Sequence, residues 1–217
     1  MMAGSRRPQA VAYKLLVGEA SVETACSEIA SRLCVLDRDV EHGFKDNKAS
    51  ASIAVQHIAA CRSHLQLAGC QALIRALFNA WTTNGRFGKA SGCPFCDASN
   101  SDTLAHYAVC PVLCFYGQEI VPGLRKHGYQ MSSLESFLGA DALFEDTPRG
   151  AILLCAWVDA IHHTVIAFGR HQGRGTPSEF LAARLKVFAV KFGRSAFATK
   201  TLSEGLSPYS SSMTQWT

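Results

Sequence analysis

The sequence predicts a mostly α protein: a helical domain with a small cysteine- and histidine-rich module inserted between helices. Apolar residues recur at helical spacing in several stretches, and no stretch shows the sustained alternation of a half-buried strand. A cysteine cluster between positions 93 and 114 marks the module. With 217 residues the chain has length for one to one and a half domains, and for a core that needs no staples.

Residues 1–50 read as an N-terminal helical segment, with helices at Ala10–Glu19 and Val22–Leu36 and a polar loop over Asp37–Lys48. Residues 51–145 read as helix plus module. A helix is expected over Ala51–Leu67. In the next, Cys70, Leu73, Ile74, Leu77, Phe78 and Trp81 form one apolar stripe that should stop near Asn84-Gly85. A short hairpin could form around Phe87–Phe95, and a helix is expected over Leu134–Ala140. Residues 146–202 read as a basic two-helix segment. Leu154, Val158, Ile161, Val165 and Phe168 step by 4, 3, 4 and 3, which predicts a helix from Gly150 to Arg170. Pro177-Ser178 opens the next helix, with Leu181, Leu185, Phe188 and Phe192 on one face. Residues 203–217 are Ser-rich and read as a mobile tail.

A content of 48% hydrophobic and 18% charged residues excludes global disorder. The net charge of +4 does not by itself call for a nucleic-acid partner. The charge is segregated, however. Residues 60–100 carry four basic groups and one acidic, and residues 147–217 carry eight basic and three acidic. These stretches read either as ordinary solvated faces or as one phosphate-facing surface. The first residues lack a secretory leader, so an intracellular location, nuclear or cytoplasmic, is expected. The most apolar stretch, Ala151–Phe168, contains Asp159, His162 and His163 and reads as a buried helix, not a membrane span. Asp159 and His163 form an i, i+4 pair expected on the exposed side of that helix.

Nine cysteines without a leader argue for free thiols in a reducing compartment. Cys26, Cys34, Cys61, Cys70 and Cys155 read as small core residues. His57, Cys61 and His64 share a helix face, more simply a half-buried face than a metal site. The remaining four cysteines cluster. Cys93, Cys96, His106 and Cys110 follow the pattern C-x2-C-x9-H-x3-C. Zinc favours four such ligands in a tetrahedron, and a closed set of four points to a structural ion with no open position. Two cysteines three apart suit a tight turn, and His106 and Cys110, four apart, share a helix face. Ser101-Asp102-Thr103 offers the helix cap, and Pro111 disfavours its continuation. Cys114 could take the place of Cys110, but Pro111 stands between them. Asp102 could instead hold the second ring nitrogen of His106.

The segment resembles the zinc-binding region near the C-terminal end of non-LTR retrotransposon reverse transcriptases. The shared features are a helix (Cys70–Trp81), a basic link (Thr82–Lys89), the pair Cys93 and Cys96, and a closing helix reading Leu104-Ala105-His106 and ending in Cys110-Pro111. They span about residues 65–120. Where that family often has Gly after the second cysteine this chain has Asp97, and where it often has Glu before the histidine it has Ala105. The paired aspartates of a polymerase are absent, as is any endonuclease-like set of carboxylates. The resemblance therefore implies a non-enzymatic zinc-binding fragment or descendant of such an element, without its catalytic domains. RNA or single-stranded DNA would be the partner, held by Arg75, Arg86 and Lys89 with Phe87 and Phe95 as stacking surfaces. Two other readings compete. One is a zinc-pinned helical domain that binds a protein. The other is a thiol oxidoreductase using Cys93-Pro94-Phe95-Cys96, for which neither a preceding strand nor a following helix is evident.

Overall fold

The computed structural model describes residues 21–37, 46–78, 92–99, 102–169 and 175–206, together with Lys14, Gly18, Phe44, Ala80, Trp81 and Thr83. Among the described residues there are ten helices and no strand. They are α1 (Val22–Asp37), α2 (Asn47–Cys61), α3 (Leu67–Leu77), α4 (Leu104–Val109), α5 (Pro111–Ile120), α6 (Pro122–Lys126), α7 (Leu134–Phe137), α8 (Thr147–Gly169), α9 (Pro177–Phe192) and α10 (Ala196–Gly205). The protein is mostly α, as its periodicity requires.

Helix α8 is the axis of the fold. From Ala151 to Val158 it is apolar on every side, and every residue from Ala151 to Ile161 is buried. A helix without a polar face must be covered all round. Helices α2, α3, α6, α9 and α10 provide the cover, and α1 packs outside α2. The stretch Thr147–Phe168 is long and apolar enough to cross a bilayer by length and composition, yet 78% of its most apolar window is buried by this chain's own helices.

Asp159 differs from expectation. It lies on α8 at 3% exposure, because Arg184 of α9 closes over it. The Arg184 Nε donates to one Asp159 oxygen at 2.9 Å, and His163 Nε2 lies 3.4 Å from the other. The sequence pattern placed Asp159 opposite the apolar stripe, but the neighbouring helix covers that face too.

Several boundaries also move. The helix expected over Cys70–Trp81 starts at Leu67 and stops at Leu77. The chain then bends so that Trp81, 1% exposed, turns back and donates its indole N–H to the Ala72 carbonyl at 2.9 Å. There its ring packs against Phe137 and His162. The helix expected over Ala51–Leu67 is two elements, α2 and the start of α3, split after Cys61. That corner is locked to another: Gln66 N–H donates to Phe192 O at 2.8 Å and Arg194 N–H to His64 O at 2.8 Å, around an antiparallel bridge between Leu65 and Gly193. Helix α9 begins at Pro177 with Thr176 and Glu179 in a reciprocal capping box. Ser203–Gly205, placed by the sequence in a mobile tail, close helix α10, which Ser195 caps. The expected helix Ala10–Glu19 and the hairpin at Phe87–Phe95 fall mostly outside the described residues, and Gly92–Ser99 is turn and irregular chain.

Candidate metal centre

The cysteine motif folds locally. The Asp97 N–H donates to the Cys93 carbonyl at 3.0 Å, and the Cys93 N–H donates to the Ala98 carbonyl at 3.0 Å. These two bonds close a turn over Cys93-Pro94-Phe95-Cys96-Asp97. The Phe95 N–H points at the Cys93 sulfur from 3.4 Å, and the Cys96 amide is directed at the same sulfur. Asp97 completes the turn with φ +55°, the left-handed region. Glycine enters that region freely, and among other residues Asp and Asn tolerate it best.

The second half of the motif comes from α4. Thr103 is its cap, accepting from the His106 N–H at 3.1 Å. Asp102 faces inward at 4% exposure and accepts a hydrogen bond from the Tyr107 hydroxyl, a partner the sequence did not suggest. Tyr107 is fully buried, and burial together with Asp102 pushes its hydroxyl far above the usual phenol range. Its ring meets Trp81 at 6.3 Å and Phe95 edge-on at 6.2 Å. The cysteine turn is thereby tied to the core. Helix α4 ends at Val109, and Cys110 sits in extended backbone between α4 and α5. Pro111 stops one helix, as its ring should, and also occupies the first position of the next.

This chain path brings the Sγ atoms of Cys93, Cys96 and Cys110 and a ring nitrogen of His106 within 4.8 Å of one another. The Cys93 and Cys110 sulfurs are 3.9 Å apart, and His106 Nε2 is 3.2 Å from the Cys96 sulfur. A tetrahedral zinc with Zn–S of about 2.3 Å separates its sulfurs by about 3.8 Å. Cys93 and Cys110 are buried, Cys96 and His106 half-buried. The contact between the two sulfurs holds the Cys110 thiol below its usual range and, with burial, raises that of Cys93. Backbone amides of Leu113 and Val112, at the start of α5, also favour a thiolate at Cys110. Amides aimed at two of three sulfurs, in a set of three thiols and one imidazole, fit a zinc ion's need for anionic sulfur. Cys114 is outside the group. One turn further along α5, its S–H donates to the Met131 carbonyl at 3.5 Å.

Arg75 is exposed in the last turn of α3. Arg86, Lys89 and Phe87 lie outside the described residues. Phe95 is partly buried against the core, so its ring is engaged in packing. The turn after Cys96 leads into irregular chain, with no helix N-terminus at Cys93 to lower its pKa in the way an attacking thiol needs.

Compared with protein-family models, curated proteins and solved structures, the chain matches none.

Proposed function

We propose that Cys93, Cys96, His106 and Cys110 hold a structural zinc ion, and that the module they close is a non-enzymatic nucleic-acid-binding element. It would work in the manner of the zinc region of non-LTR reverse transcriptases, which its motif resembles. The observation that carries the reading is the convergence of three sulfurs and one imidazole nitrogen within 4.8 Å from a turn, a short helix and a helix junction. A closed set of four ligands leaves zinc no open position for a substrate, so the ion's task is to fix the loop before α4. With that loop fixed, Arg75 and the basic link holding Arg86 and Lys89 would present phosphate contacts that weaken with salt. RNA or single-stranded DNA suits such contacts without a base-reading helix. An unmodified partner protein is the competing reading.

The test has two stages. Zinc is first counted in protein purified without added metal, as wild type and as His106→Ala. One zinc per chain, lost or weakened in the variant, supports the site; a folded wild type without zinc overturns it. Retention on single-stranded RNA and DNA is then measured against salt for wild type and for Arg75→Ala with Arg86→Ala and Lys89→Ala. Binding that weakens with salt, and further in the triple variant, supports the nucleic-acid reading. No retention at low salt transfers the module to the protein-binding class.

A further inference from the structure

We propose that Cys61, Cys70 and Cys155 form a second metal site, a three-sulfur site for a soft monovalent ion of the Cu(I) class. The three residues come from three helices: Cys61 from the last turn of α2, Cys70 from the first half of α3 and Cys155 from the middle of α8. Each is at most 1% exposed. Their sulfurs lie within 4.8 Å of one another, and those of Cys61 and Cys155 are 3.8 Å apart. A three-coordinate ion with metal–sulfur bonds of about 2.3 Å sets its sulfurs about 4.0 Å apart. The other edges are no longer than 4.8 Å and have to close by less than about 1 Å to complete the site.

The donor set selects the ion. Among the described residues no histidine, cysteine or carboxylate joins the three as a fourth member. His57, one turn before Cys61, turns Nδ1 to the Gly139 carbonyl at 2.8 Å and its buried Nε2 is not among the grouped donors, and His64 turns Nδ1 to Ser195 at 3.2 Å. Zinc would lack its fourth ligand here. Thiolates without nitrogen or oxygen donors select soft ions, Cu(I) foremost among first-row metals. Binding one Cu(I) to three thiols with release of two protons to solvent leaves two thiolates and one thiol, a net charge of −1. The surrounding core excludes water, which keeps hydroxide and oxidants from the ion. Entry requires the core to be open, so loading would accompany folding.

The experiment uses the full chain, reduced, unfolded and refolded anaerobically with one equivalent of zinc and with Cu(I) buffered by a chromogenic chelator. Copper and zinc are counted in the same sample, and X-ray absorption reports the copper ligands. One copper per chain alongside retained zinc, with three sulfurs and no nitrogen, supports the proposal. So does at least tenfold weaker copper binding in Cys155→Ala and Cys70→Ala, with Cys114→Ala unchanged. No copper in folded wild type overturns it, leaving the trio as packed thiols. Copper with mixed sulfur and nitrogen ligands also overturns it, because that signature belongs to the His106 site. The absorption spectrum of wild type with zinc retained decides even where an alanine variant fails to fold; where zinc does not bind at the His106 site, the spectrum is taken on Cys93→Ser with Cys96→Ser, in which three-sulfur copper supports the proposal and its loss overturns it.

Discussion

Asp97 offers a sharp test of how the cysteine turn is built. Its φ of +55° places an L-residue with a side chain in the left-handed region, while its N–H closes the turn onto Cys93. That conformation costs an L-residue roughly 1–2 kcal/mol, with Asp and Asn at the low end. Asp97→Gly removes this cost but adds unfolded-chain entropy of roughly 0.5–1 kcal/mol. The net expectation is neutral to about 1 kcal/mol stabilising. Asp97→Val puts a β-branched residue where φ is positive and should cost about 1–3 kcal/mol. Because the turn sets two sulfurs, these energies should appear in metal affinity. Zinc affinity should be up to about fivefold tighter for Gly and about 5- to 140-fold weaker for Val, at a tenfold change per 1.4 kcal/mol. Competition against a zinc chelator measures this, and thermal unfolding with excess zinc gives an independent ranking. Valine matching wild type in both assays, or glycine weaker than aspartate, would refute the left-handed turn.

Breaking the covered ion pair by Asp159→Ala should cost about 3–5 kcal/mol, since Arg184 is left partly buried and unpaired. Lys200→Ala, which removes only the exposed Lys200–Glu204 pair, should change stability by less than about 1 kcal/mol, and denaturant titration compares the two. His162 is 3% exposed, and burial first, then its neighbour His163, lowers its pKa to about 4. The unfolded chain therefore takes up its proton first, near pH 6.5. Stability should be full above that pH and fall as pH drops toward 4, by up to about 3 kcal/mol. The slope should be shallower in His162→Phe, compared by urea midpoints across that range; an equal slope would remove His162 from the account. Thr176→Ala removes the capping box of α9 and should cost about 1 kcal/mol, read as a drop in melting temperature.

The sequence carried the elements whose signals are local. The 4, 3, 4, 3 spacing marked α8, and Pro177 marked the start of α9, within a few residues of their positions. The four clustered donors were legible because they lie within 18 consecutive residues, so turn and helix chemistry suffice to converge them. Helix α5 was missed because Pro111 read only as a stop, although it also sits in a first turn, as Pro122 does in α6. The cover over Asp159 and the meeting of Cys61, Cys70 and Cys155 depend on which helices flank α8. Helical periodicity along one segment carries no such information. The five scattered cysteines read as core residues; Cys61, Cys70 and Cys155 are fully buried, Cys26 is half-buried and Cys34 exposed.

The corner-to-corner lock between Leu65 and Gly193 has a consequence for how the chain is made. A ribosome releases α1, α2 and α3 long before α8, α9 and α10, so the early helices leave the exit tunnel with their apolar faces uncovered. The burial of α2 and α3 waits for α8, whose first residue, Thr147, comes 70 positions after the end of α3 at Leu77. The segment from Cys93 to Cys110 contains all its own donors and is free of that delay. A metal ion can close it while the rest of the bundle is still unassembled, giving the nascent chain one ordered point in its middle around which the two halves later meet.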